Sequence, residues 1–303
     1  MTITSSLSAG VIVNADDLGI HPRINEGIVD SYRRGMLTSC TMLMTTAYVE
    51  ETVRDVVRPA VLPIGIHLSL TLGKSVAGMG KVPDLVDGDG NLSASAGRLL
   101  LSSFSGNYGR RLLAQIRAEW EAQLALACDY GLHPTHADSH QHVHMHPALF
   151  AIAESLLPRF GIHRIRLCRE DFPSFALGTD LPGLAARLNP LKWAILRWRA
   201  GQIRPTLETP ERFFGVLYSG VINKAALRAL LRTTPPGRSL EIGIHPGFPV
   251  SGGAHYPRRG YNAFIAADAR QKEHDILTDP TVRDDVRRFG LTLRSYADRK
   301  QPA

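Results

Sequence analysis

The sequence predicts an α/β fold, a parallel sheet wrapped by helices into a barrel within one domain. Three observations predict it. Short apolar runs rich in β-branched residues alternate with longer amphipathic stretches, the pattern of successive βα units. The chain has 303 residues, a length that α/β barrels occupy as a single unit. Each cluster of chemistry-bearing side chains follows one of the apolar runs, at the strand end where parallel α/β folds bind their ligands.

Taken in order, residues 10–15 read as a buried strand and 22–34 as a helix, with Pro22 in its first turn, Ile24 and Ile28 one turn apart, and Gly35 beyond its end. Strands follow at 38–44 and 61–66. Residues 71–105 are rich in Gly, Ser and Asp with little periodicity, longer than a plain connection, and predict an active-site loop. A long helix is expected at 110–130, a short strand at 134–138 and a helix at 147–160. Further strands are expected at 163–168 and 240–244. The Pro-punctuated stretch 174–212 reads as an insertion on the barrel, within a domain covering 8–298.

Hydrophobic residues make up 44% and charged residues 21%, values of a soluble globular chain and not of a disordered or fibrous one. The three cysteines, Cys40, Cys128 and Cys168, form no Cys-x-x-Cys pair and no disulfide framework. With neither a basic-then-apolar leader nor a run of about 18 apolar residues, the expected location is the cytoplasm. The net charge of +7 is scattered along the chain, which argues against nucleic acid as a partner. One local exception runs from Lys192 to Arg199, where two Trp and three basic residues could meet an anionic membrane surface. An ordinary helix with a basic outer face is the plainer reading.

Four clusters carry the chemistry. Asn14-Ala15-Asp16-Asp17 puts adjacent acids at the end of an apolar strand, where at least one needs a pairing partner or a cation. On their own such acids are more often solvated turn residues. His67 lies in an almost wholly apolar run, where a hydrogen-bonded core histidine is the commoner case. His136, Asp138, His140, His142, His144 and His146 crowd eleven residues, and alternating histidines in an extended segment share a face and suit a divalent metal. His245 ends a further apolar run before Pro246-Gly247. Taken jointly they supply the acid and imidazole ligands and the separate proton-transfer groups of a hydrolytic metal site.

These motifs, Asn-Ala-Asp-Asp at 14–17, Gly-x-His-Leu-x-Leu at 65–70, Asp-Ser-His-x-His-x-His at 138–144 and His-Pro-Gly at 245–247, resemble those of the YdjC-like carbohydrate deacetylases, in the same order along the chain. The resemblance implies a distorted, TIM-like (β/α) barrel similar to that of the NodB-type polysaccharide deacetylases. It implies one divalent metal ion, magnesium or zinc, held by Asp17, His67 and His140, with Asp16 as general base and His245 as general acid. Asp138 would orient a ligand histidine, and His136, His142 and His144 would be further ligands, substrate contacts or packing. The implied reaction removes an acetyl group from an N-acetylglucosamine-containing carbohydrate or glycolipid. The segments 81–87 and 166–170 resemble a hopanoid-biosynthesis branch, and barrels of this kind often form homodimers. The competing readings are a two-metal amidohydrolase or phosphoesterase and a non-catalytic sugar- or lipid-binding barrel. Adjacent acids at the first strand, in place of His-x-His, weigh against both.

Overall fold

The computed structural model describes residue 7, residues 9–60, 62–171 and 185–250, residue 256 and residues 268–298. Residue 61 of the expected third strand and residues 174–184 of the expected insertion lie outside the described residues.

β1, Gly10–Leu18, is buried along its whole length, which is why its first half reads as an unbroken β-branched run: a central parallel strand is covered on both faces. It pairs in parallel with β2, Ser39–Met42, with β6, Ser239–Ile244, and with β7, Leu293–Arg294. β3, Ile64–Leu68, and β4, Ala137–Ser139, continue the sheet beyond β2, and β5, Arg212–Phe214, borders β6. The order is β4-β3-β2-β1-β6-β5.

The strand expected at 163–168 is realised as an irregular segment that spans the gap between the two edge strands. Arg166 N donates to Ala137 O at 3.0 Å, Ile165 N to Glu208 O at 3.0 Å, and Phe213 N to Arg169 O at 3.1 Å. The result is the distorted barrel that the sequence implied.

Helices cover its outer face. α1, Pro22–Arg34, starts with Pro22 and is capped by His21, whose side chain accepts from Arg23 N, and has Arg33 and Arg34 in its last turn. Helical segments α2, Val49–Thr52, and α3, Arg58–Ala60, lead into β3. The 71–105 loop is more ordered than its composition suggests: Lys74 bridges Asn91, Val86 bridges Leu92, and α4 spans Ala96–Leu101. Glu119 of α5, Gly106–Asp129, anchors it by accepting from Ser75 Oγ, Val76 N and Ala77 N at 2.6–3.1 Å. α6, Pro147–Leu156, α7, Ala185–Gln202, α8, Lys224–Thr233, α9, Asp268–Thr278, and α10, Pro280–Arg288, complete the layer.

The strands sort their side chains by period two. Val11, Val13 and Ala15 of β1, Ile64, Ile66 and Leu68 of β3, and Leu240, Ile242 and Ile244 of β6 join one apolar core with Ile24 of α1 and Trp120 of α5. The alternate residues face the barrel interior. There, above a small apolar floor of Leu7, Ile12 and Tyr296, the side chains are polar: Asn14, Asp16, Thr41, His67, Asp138 and Glu241, all buried. Buried polar groups persist only when hydrogen-bonded or paired.

Candidate active site

A buried arginine organises the interior. Arg166 makes two 2.7 Å hydrogen bonds to Asp16, one to each carboxylate oxygen. It also lies 2.7 Å from Asp138 Oδ2, and its Nε donates to Glu241 Oε1 at 2.8 Å. Tyr296 donates to the other oxygen of Glu241 at 2.6 Å. Burial opposes ionisation of Asp16, yet the Arg166 guanidinium and its hydrogen bonds hold the carboxyl far below the usual carboxylate range. Burial raises Glu241 to about 7, against the pull of Arg166 and Tyr296.

Asp17 departs from this pattern. Alternation would turn it outward, but the β1–β2 register shifts between Ala15 and Leu18, and Asp17 takes a φ of 70°. A bulge of this kind re-aims side chains. The Asp17 carboxylate stays buried, with Oδ2 accepting from Arg270 of α9 at 2.6 Å. Its Oδ1 is buried and has no hydrogen-bond partner among the described residues. His67 Nε2 lies 3.5 Å from that oxygen and His140 Nε2 4.0 Å from it.

Each imidazole is oriented through its other nitrogen. His67 Nδ1 is 2.6 Å from Asp138 Oδ1, and the two residues are register partners on β3 and β4. His140 Nδ1 is 2.7 Å from Thr71 Oγ1. Burial works against charge on His67, but the Asp138 and Asp17 carboxylates push it up to about 10, whereas burial takes His140 down to about 3.

These atoms fit a divalent cation. An orphaned buried carboxylate oxygen faces two imidazole nitrogens, and around it five buried acids, Asp16, Asp17, Asp138, Glu241 and Glu273, meet two buried arginines, Arg166 and Arg270. A second grouping, Asp16, His67 and Asp138, also brings three donors within 4.8 Å. It suits a cation less well, because Arg166 already occupies both oxygens of Asp16 and Oδ2 of Asp138.

His245 follows β6, with Nε2 3.9 Å from Asp16 Oδ2, and its backbone N–H donates to Glu273 Oε2 at 2.6 Å. Burial lowers its imidazole to about 4 in spite of Asp16 and Asp17, so it is neutral at pH 7.

The expectation that the alternating histidines share one face is corrected. Residues 140–145 form a 3-10 turn in which Gln141 and His142 adopt positive φ, so the imidazoles diverge. His140 alone reaches Asp17. His142 meets the edge of Phe213, and its Nδ1 has no hydrogen-bond partner among the described residues. His144 Nε2 donates to Arg166 O at 3.0 Å and its Nδ1 accepts from Ser139 at 2.6 Å, which fixes its tautomer. His136 stacks on Tyr296 and lies 3.0 Å from Asn14 Oδ1. His146 caps α6 and donates to Ser102 O.

Sequence reasoning missed Arg166, Arg270, Glu241 and Glu273 as members of the site. A signal existed for two of them: Arg166 and Glu241 are charges inside apolar runs that read as buried strands. Lys192, assigned at most to a surface, is half-buried on α7, and its amine shares the electrostatic surroundings of Asp16, His140 and His245.

Carboxylates and imidazoles gathered at the carboxyl ends of a parallel barrel define the class of α/β-barrel proteins with a buried acid and histidine site. Within that class, the model of the YdjC-like protein family matches residues 10–288, and the chain belongs to that family. It is 28% identical over 291 residues to a carbohydrate deacetylase of Geobacillus stearothermophilus, covering 95% of this chain and 96% of that protein. A human carbohydrate deacetylase is 29% identical, with 95% and 90% covered. A chitooligosaccharide deacetylase of Yersinia enterocolitica is 27% identical, with 95% and 98% covered. The fold superposes with a TM-score of 0.68 and 24% identity on a structure from Enterococcus faecalis V583 described as a candidate cellobiose-phosphate cleavage protein, over 96% and 98% of the two chains.

Proposed function

We propose that the protein is a metal-dependent carbohydrate N-deacetylase, acting on an N-acetylglucosamine-containing saccharide or glycolipid to give acetate and the amino sugar. The observation that carries this reading is the orphaned Asp17 Oδ1 facing the Nε2 atoms of His67 and His140. Asp17, His67 and His140 would hold the cation, with Asp138 and Thr71 fixing the two rings from behind. Two imidazoles and a carboxylate favour zinc by ligand softness, while magnesium is the other ion that the family resemblance implies. When bound, the ion supplies Lewis acidity toward the amide carbonyl.

The remaining chemistry belongs to the chain. Asp16, ionised throughout the physiological range, takes the proton of the attacking water at Oδ2. Arg166 makes it a weak base, so it does not keep that proton. His245 Nε2, neutral and 3.9 Å away, receives it and delivers it to the departing amine. Glu273 holds the His245 backbone in place.

The chitooligosaccharide class is supported by the Yersinia relative. A hopanoid-linked sugar rests on the resemblance of residues 81–87, which hold the Asp84–Arg111 ion pair, and of residues 166–170, whose Arg166 serves the interior. A cytoplasmic location is part of the same reading, supported by the free thiols of Cys40, Cys128 and Cys168. No helix among the described residues is long and apolar enough to cross a membrane.

The test is acetate release from N-acetylglucosamine oligomers and from an N-acetylglucosaminyl lipid, with protein stripped of metal and reconstituted with zinc or magnesium. Metal-dependent release is expected. His140→Ala should lose bound metal, whereas Asp16→Asn should keep metal and lose about 10²–10⁴-fold in kcat. Normal metal content and near-normal rates in both variants would sink the assignment.

A further inference from the structure

Helical period turns one charged side chain of α7 toward the site. Asn189, Lys192, Leu196 and Arg199 follow one another at spacings of three and four residues, which puts them on one arc of the helix. The other members of that arc are fastened to the body of the barrel. Asn189 Nδ2 donates to Leu217 O at 3.0 Å and to Ser219 O at 3.1 Å, Leu196 is buried, and Arg199 Nε donates to Leu100 O at 2.8 Å. Trp193, next to Lys192, donates from Nε1 to Glu170 O at 3.0 Å. α7 also packs against the 140–145 turn, and Lys192 is held where Asp16, His140, His142 and His245 lie within its electrostatic reach.

A cation drawn out of water is costly unless it is paired. The arginines of the site obey this rule: Arg166 holds Asp16, Asp138 and Glu241, and Arg270 holds Asp17. Lys192 does not. It is half-buried, and among the described residues its amine has neither an ion pair nor a hydrogen bond. The acids near it are engaged elsewhere, Asp16 by Arg166 and Glu170 by the backbone N–H groups of Gly215, Val216 and Leu217. Burial draws the amine below the ordinary lysine value, against the pull of Cys168 and Asp16. In the same reach, the buried Nδ1 of His142 also has no hydrogen-bond partner among the described residues. Two unpartnered polar groups on one wall of the site call for an oxygen that a ligand supplies.

We infer that the Lys192 amine binds the acetyl oxygen of the substrate as it becomes an oxyanion, and then the carboxylate of the acetate produced. The inference rests on the deacetylase reading above. When the oxygen of water bonds to the carbonyl carbon, the π pair of the C=O bond moves onto the amide oxygen. When the C–N bond breaks, that pair returns to the carbonyl, and the amine leaves with the proton carried by His245. Negative charge on the oxygen is greatest between the two steps, so an ammonium beside it binds most tightly there. Lys192 is suited to this because it is a compact point charge with no acid of its own to give up.

The zinc-loaded full chain and its Lys192→Met variant are compared in acetate binding, by titration calorimetry, and in acetate release from N-acetylglucosamine oligomers. Lys192→Met should weaken acetate binding at least about tenfold and lower kcat about 10²–10³-fold, with KM, zinc content and melting temperature close to those of the parent. Lys192→Gln, which removes the charge and keeps a polar end, carries the same expectation should Lys192→Met fail to fold. Acetate affinity equal to the parent's in a folded, zinc-loaded variant overturns the inference, as does a parent that binds no acetate. A raised KM with unchanged kcat overturns it too, because Lys192 would then hold the substrate and its transition state equally. Release by the parent at a rate that Lys192→Met retains would remove Lys192 and leave the deacetylase reading standing. A parent that binds acetate through Lys192 yet releases none from the oligomers would sink that reading and keep the anion contact.

Discussion

Single residues in this protein are defined by what surrounds their charge. Glu170 is the clearest case outside the proposed metal site. It is buried, it accepts from Val216 N at 2.8 Å, and burial raises it to about 7 against the backbone N–H groups of Val216, Leu217 and Gly215. Because its folded pKa lies above the unfolded value near 4.3, the folded state holds more protons between those limits, and its contribution to stability falls as pH rises from about 5 to 7. Glu241 and Glu273, also raised to about 7, act in the same direction. Glu170→Gln should therefore flatten the decline, with a variant more stable relative to the parent at pH 8 than at pH 5 by on the order of 1–3 kcal/mol. Chemical denaturation at the two pH values checks it, and an unchanged pH slope would refute it. Glu170 ends a segment of mixed polarity, and its cradle is built from Gly215, Val216 and Leu217, far along the chain, so no local pattern marks it.

At the scale of elements, strand ends place the chemistry and small residues let them approach. Gly65 of β3 is an example. A Cβ there would lie 2.6 Å from the His136 ring and 2.7 Å from its carbonyl oxygen. Gly65→Ala should destabilise the protein by about 1–3 kcal/mol, read from the denaturation midpoint, and His136→Ala in the same chain should recover part of that loss through coupling between neighbours. Additive losses in the double variant would show that the two do not compete for space. The β1 bulge is the other decisive element feature. Period-two alternation foretells that Ile12, Asn14 and Asp16 share the barrel interior, but it places Asp17 on the opposite face. Only the register shift, with Asp17 at a φ of 70°, brings both acids inside. The same holds for the histidine run, whose alternation is real in sequence and undone by left-handed backbone at Gln141 and His142.

The whole molecule is held across its interior by Arg166, which joins Asp16 of β1, Asp138 of β4 and Glu241 of β6 to the segment closing the barrel. Arg166→Met would remove the cation shared by Asp16, Asp138 and Glu241, leaving Asp138 to His67 and Glu241 to Tyr296, and should destabilise the fold by about 3–5 kcal/mol. Arg166→Met with Glu241→Gln should be less damaged than Arg166→Met alone, since one of those acids is then uncharged. Equilibrium unfolding of both variants measures this, and a single variant as stable as the parent would remove Arg166 from its place as the organiser.

The sequence by itself determined the parallel α/β barrel, its strands through β4 with the helices α1 and α5 between them, the family, and the four clusters that meet at the strand ends. These are local properties: hydrophobic period, Pro and Gly punctuation, and polar residues at the ends of apolar runs. What only the tertiary structure decided is which of those side chains meet, and with what charge. His67 and Asp138 are 71 positions apart and become partners by strand register, Arg166 reaches Asp16 across 150 positions, and Arg270 arrives from a helix with no motif of its own. Such pairings depend on which strands lie side by side and on one bulge, and the energy that sets each carboxylate and imidazole comes from burial and from partners that no single stretch of sequence contains.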